Sequence, residues 1–177
     1  MIAPTLIFGW GNPSRGDDAL GPALLDRIEA LCPQRPQWGA VDLLTDFQLQ
    51  VEHALDLDGR RRVLFIDASA GEVEGPFKVT ALEPERDSSF TTHALSPQGV
   101  MHVYAEMTDK PPPPCQLLAI AGEAFELGTP LSAGAEANLE AALAWTCQWL
   151  DAYRSGGEGV AAAPVAATIL PGGNPGP

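Results

Sequence analysis

Asp18, Asp67 and His93 are the residues whose types and placement point to chemistry. Two carboxylates and one imidazole combine hard oxygen with borderline nitrogen. Such a set suits zinc or a divalent first-row metal and leaves coordination positions open. The same three groups also make a metal-free acid/base cluster. Each has a plainer role as well. Asp17 and Asp18 stand at a predicted helix start, where one carboxylate is enough to cap free N–H groups. Two exceed that need, so one can cap while the other faces the crevice at the strand ends. Asp67 follows the apolar run Val63-Leu64-Phe65-Ile66 and could be a loop cap held by the N–H groups of Ser69 and Ala70. His93 lies in Phe90-Thr91-Thr92-His93-Ala94-Leu95-Ser96-Pro97, just before a predicted helix. It is better placed than His53, expected to face solvent beside Glu52, or His102, expected on an ordinary helix surface.

Several chemistries are not indicated. There is no HExxH pair and no GxSxG elbow. Cys115 has no evident histidine to orient it. The turn Gly9-Trp10-Gly11-Asn12-Pro13-Ser14 fails the dinucleotide spacing at Ser14, and Asp17-Asp18 would repel a pyrophosphate.

Apolar periodicity predicts the elements that must position these groups. Residues 5–8 read as a buried strand ending at a glycine turn. Ala19, Leu20, Ala23, Leu24, Leu25, Ile28 and Leu31 then recur at helical spacing, with Pro22 tolerated near the start. A second strand is expected over residues 38–44, and a helix capped by Asp46 through Leu55. Residues 63–66 form the clearest strand, which places Asp67 at its carboxyl end, where open parallel sheets bind ligands. Residues 76–82 fit an edge strand, and residues 83–92 a polar loop. Ser96-Pro97 opens a helix, residues 116–121 form a strand, and Ser132 caps a last helix through Tyr153. Strands alternating with helices give a three-layer α/β/α domain with a mostly parallel central sheet, over residues 1–154. Residues 155–177 are rich in Gly, Pro and Ala and are expected to be disordered.

The 177 residues carry 10 Lys and Arg against 23 Asp and Glu, a formal charge of −13. That balance disfavours nucleic acid and anionic membranes as partners. No apolar run is long enough to span a bilayer, and the start lacks a basic signal-like region. Cys32, Cys115 and Cys147 are odd in number and widely spaced, which fits a reducing compartment.

The ordered motifs resemble those of the maturation endopeptidases of NiFe hydrogenases. That family shows a strand, then GxGNxxxxDD or GxGNxxxxDE, then glycine. Here these are Gly9-Trp10-Gly11-Asn12, Asp17-Asp18 and Gly21. Gln48-Leu49 with Glu52, Phe65-Ile66-Asp67-Ala68, His93 and Gly128-Thr129-Pro130-Leu131-Ser132 continue the likeness across about residues 4–150. The resemblance implies removal of a C-terminal extension from the precursor of a hydrogenase large subunit after nickel insertion. It implies that Asp18, Asp67 and His93 contact nickel, which the substrate supplies and the resting enzyme lacks. The family often has glutamate at the first of these positions; Asp18 keeps the charge with a shorter reach. Residues 12–22 look most similar to the cytoplasmic, NAD-reducing hydrogenase branch. Two rivals remain: a chaperone or binding module that holds the large subunit without cutting it, and a nucleotide-dependent enzyme, for which no phosphate-cradling loop is visible.

Overall fold

The computed structural model describes residues 1–87 and 94–153. Five strands form one sheet: β1 (Thr5–Trp10), β2 (Val41–Asp46), β3 (Arg62–Ser69), β4 (Phe77–Leu82) and β5 (Cys115–Ala121). Their order is β2-β1-β3-β5-β4. The first four in that order are parallel, and β4 runs antiparallel along β5 at the edge. Among the described residues three helices cover the sheet: α1 (Leu20–Leu31), α2 (Pro97–Thr108) and α3 (Ala133–Asp151). This is the expected three-layer α/β/α architecture.

Alternation along the strands divides the core in two. Ile7, Leu64, Ile66, Leu118 and Ile120 pack under α1 and α3. Leu6, Phe8, Val63 and Phe65 pack on the other face, under α2 and a 3-10 segment over Val51–Leu57. Burial on both faces explains why β1 and β3 read as continuous apolar runs. Two helix starts match their sequence signals. Ser96 accepts from the Gly99 N–H at 2.9 Å, and Ser132 from the Ala135 N–H at 3.1 Å.

Two expected elements differ. Trp38 is not in β2 but in a short 3-10 turn, buried, with its Nε1–H donating to Asp151 at 2.8 Å. Gly39, at φ 70°, turns the chain before the strand can begin. The expected helix after Asp46 is also absent. Asp46 stays in β2 and its carboxylate accepts from the next N–H, that of Phe47, at 2.6 Å, so it does not cap. Gln50 caps instead, and only the Val51–Leu57 3-10 segment follows. Residues 155–177 and part of the expected 83–92 loop lie outside the described residues. No helix among the described residues is long and apolar enough to cross a membrane.

The sheet sets where a site can lie. The chain goes from β1 through α1 to β2 on one side, while β3 lies on the other side of β1. The carboxyl ends of β1 and β3 therefore flank the topological switch point. At this point α1 comes unusually close to the sheet. A Cβ on Gly21 would meet the Trp10 carbonyl oxygen at 2.7 Å, the Trp10 nitrogen at 3.0 Å and the Ile66 carbonyl oxygen at 3.1 Å. All three are backbone atoms and cannot swing aside. Gly21→Ala should therefore lower stability by about 1–3 kcal/mol, although alanine is the better helix former. Urea unfolding of the purified variant checks this.

Candidate functional site

The site begins where β1 ends. Gly11, at φ 142°, donates its N–H to the Asp46 carbonyl at 3.0 Å. A Cβ here would collide with the Asp18 carbonyl oxygen, so the turn admits only glycine. The chain then folds back on itself. Asn12 donates its N–H to Asp18 Oδ2 at 2.7 Å, and its own Oδ1 accepts from the Ser14 N–H at 2.9 Å. Asp18 is thereby fixed against the start of the turn.

The two adjacent aspartates separate in role. Asp17 is fully buried. Its carboxylate accepts from the N–H groups of Ser132, Glu123 and Ala124 at 2.7, 2.8 and 2.9 Å, and from the Ser132 hydroxyl at 2.8 Å. Burial alone would push its pKa up. The hydrogen bonds outweigh burial and hold the carboxyl below its ordinary value. Asp17 is thus the structural member of the pair. It caps the connection between β5 and α3 rather than its own helix. Gly16 and Asp17 add backbone bonds to Thr129 and Ala124 across the same joint. Asp17→Ala would leave three N–H groups without their acceptor, and a loss of about 3 kcal/mol or more is expected in urea unfolding.

Asp67 lies within β3, opposite Ala119, rather than in a loop beyond the strand. It stands one residue past the Gly9–Ile66 pair. Burial pushes its carboxyl up to about 7; the Ala68 N–H opposes the rise, and the negative charge of Asp18 adds to it. Asp18 and Asp67 therefore share one electrostatic environment at the switch point. A half-buried pair of like-charged carboxylates is unfavourable alone and could suit a divalent cation.

His93 lies outside the described residues. Among the described residues no group of three or more His, Cys, Asp or Glu forms a metal cluster, and of the three expected residues only Asp18 and Asp67 are described. The other two histidines are placed clearly. His53 is not solvent-facing as expected; its side chain is 13% exposed. The ring meets Phe8 edge-on at 4.7 Å, Nδ1 accepts from the Gln50 N–H at 2.8 Å, and Nε2 lies 3.3 Å from Asp46. Both ring nitrogens are engaged, which marks a structural cap and not a base. His102 is in α2, with Nε2 3.3 Å from Glu106 one turn on. Glu52 is exposed on the 3-10 segment. Cys115 is buried and its thiol is pushed up to about 12 by burial, which makes it unreactive.

The raised Asp67 makes a pH-dependent prediction. Between about pH 4 and pH 7 the folded chain keeps a proton on Asp67 that the unfolded chain releases. Stability contributed at this position therefore falls as pH rises through that window and levels off above it. Asp67→Asn removes the slope. The variant should gain on the wild type between pH 4 and pH 7, by about 4 kcal/mol, as read by thermal unfolding across that range.

No protein-family model and no curated protein sequence matches the chain. Solved structures do. The NiFe hydrogenase maturation protease HycI from Thermococcus kodakarensis KOD1 superposes with a TM-score of 0.63 at 22% identity, over 84% of this chain and 92% of that one. The hydrogenase maturating endopeptidase HybD from E. coli gives 0.60 at 22% identity, over 82% and 91%. A hydrogenase 2 maturation peptidase from Thaumarchaeota archaeon SCGC_AB-539-E09 gives 0.55 at 21%, over 82% and 97%. At these identities the likeness shows the fold.

Proposed function

We propose that the chain is a cytoplasmic endopeptidase that removes the C-terminal extension from a nickel-loaded precursor of a NiFe hydrogenase large subunit, in the NAD-reducing branch. The observation that carries this reading is the Asp18–Asp67 pair at the switch point of a fold shared with hydrogenase maturation proteases. The ordered motifs of the sequence, which resemble those of that family, support it.

In this reading Asp18, Asp67 and His93 recognise nickel that the precursor's own cysteines already hold. The ion offsets both the repulsion between the two carboxylates and the unfavourable burial of Asp67, so the site favours a metal-loaded precursor over an empty one. A nickel ion seated there brings Lewis-acid character to the scissile peptide. The chain's own groups do the rest. Asn12 and the Gly11 turn hold Asp18 in place, and the rigid β3 holds Asp67. In this reading one carboxylate accepts a proton from water as the water oxygen bonds to the scissile carbonyl carbon, and that proton passes to the amide nitrogen as the C–N bond breaks, releasing the extension as a free peptide.

Incubation of the full chain with nickel-loaded and nickel-free precursor, followed by mass spectrometry of the large subunit, tests this. Loaded precursor should lose its extension and empty precursor should keep it. Asp67→Ala should still co-purify with loaded precursor while processing falls at least about 100-fold, the scale expected for loss of a group acting in the reaction. Equal cleavage of both precursors would end the nickel-recognition reading. Unchanged processing by Asp67→Ala would remove Asp67 from the site.

A further inference from the structure

Large apolar side chains left in solvent are not spread evenly over the surface. Among the described residues, the first two residues and Met107 aside, they are Phe47, Val51, Leu55 and Leu127. Single exposed apolar residues are ordinary on a protein surface, so their placement is what matters. Phe47 is the first residue beyond β2, and Val51 and Leu55 follow on the 3-10 segment. Leu127 lies in the connection that leaves β5. In the sheet order β2 and β5 flank β1 and β3, and all four strands are parallel. Phe47 and Leu127 therefore follow the carboxyl ends of the two strands that bracket those leading to Asp18 and carrying Asp67.

Both residues are also tied through the backbone to the turn that holds Asp18. The Asp46 carbonyl accepts the Gly11 N–H at 3.0 Å, while the Asp46 carboxylate accepts the Phe47 N–H at 2.6 Å. At the other end of the turn the Ser14 carbonyl accepts the Gly128 N–H at 2.7 Å. Leu127 sits at the tip of a bend closed by Thr129, whose N–H and hydroxyl both donate to the Glu126 carbonyl, at 3.3 and 2.7 Å. Phe47 is 66% exposed and Leu127 68%, yet the backbone beneath each is already fixed. An apolar side chain on ordered backbone gains its burial on binding with little added ordering cost. Charge goes with them. Exposed Glu52 follows Val51, and exposed Glu126 precedes Leu127.

We propose that Phe47 and Leu127 are docking anchors for the precursor: they receive apolar side chains of the segment around the scissile bond, and Lys or Arg side chains of that segment meet Glu52 and Glu126. This rests on the reading that the chain processes such a precursor. A second copy of the chain is the disfavoured occupant, because each copy carries a formal charge of −13. A cationic, partly apolar segment complements both the anchors and the acids beside them.

Initial rates of processing by the full chain, over a range of nickel-loaded precursor concentrations, test this. Phe47→Ser and Leu127→Ser should each raise KM about 10-fold or more, the scale of truncating an interface anchor. Phe47→Leu, which keeps an apolar side chain, should recover most of that loss. Met107→Ser removes another exposed side chain near the end of α2, where the chain returns to the opposite edge of the sheet, and should keep the wild-type KM. Urea midpoints of these variants should match the wild type, because the side chains are exposed. Glu52→Gln combined with Glu126→Gln should raise KM at low ionic strength, an effect that fades with added salt. The proposal is overturned if both serine variants keep the wild-type KM, whatever their kcat, or if Met107→Ser raises it as much. A KM that neither salt nor the glutamine pair alters overturns the charge assignment. Sedimentation velocity in which the wild type pairs with itself and the serine double variant does not would give this surface to a second copy and overturn the proposal. A wild-type chain that leaves loaded precursor uncut would instead overturn the functional reading, and the docking proposal with it.

Discussion

The buried carboxylate of Asp17 is the constraint on which the site depends. A charged group with no exposure is stable only if its oxygens are fully hydrogen-bonded, and Asp17 finds three backbone N–H groups and a hydroxyl. All of them come from the connection between β5 and α3. Satisfying Asp17 therefore pulls the first turn of the chain against a segment more than a hundred residues later. With Asp17 committed inward, its neighbour Asp18 stays at the crevice, where Asn12 holds one of its oxygens. The short stretch Gly16–Ala19 thus carries a buried, hydrogen-bonded acid and a half-exposed one side by side.

Glycine closes the same arrangement from the other direction. At Gly11 and Gly21 a side chain would run into backbone, so the turn, α1 and the ends of β1 and β3 approach as nearly as the chain permits. That closeness places Asp18 near enough to Asp67 for its charge to be felt. Two carboxylates are then held by secondary structure and by the backbone of one tight turn. On the proposed reading, such a pair would take a cation delivered by the substrate, which would offset their mutual repulsion.

The layered fold and most of its elements could be read from the residues because burial on both sheet faces leaves unmistakable runs such as Leu6-Ile7-Phe8 and Val63-Leu64-Phe65-Ile66. The separate roles of Asp17 and Asp18 were half legible: two acids exceeded one cap, but which turned inward depended on N–H groups at 123, 124 and 132 that no local pattern reveals. Asp46 misled because an acidic residue before an apolar stretch looks like a cap, whereas its carboxylate bonds the very next N–H. His53 misled for a related reason, since its pairing with Asp46 and Phe8 is tertiary.

The most direct test of the central claim looks at the metal itself. Nickel K-edge X-ray absorption can be recorded on loaded precursor alone, and on precursor bound to the wild-type chain or to an Asp18→Asn, Asp67→Asn double variant. If the two carboxylates read the nickel, binding of the wild-type chain adds oxygen or nitrogen scattering to the sulfur-rich first shell, and the double variant adds less. An identical nickel spectrum for free precursor and for the wild-type complex would contradict the account.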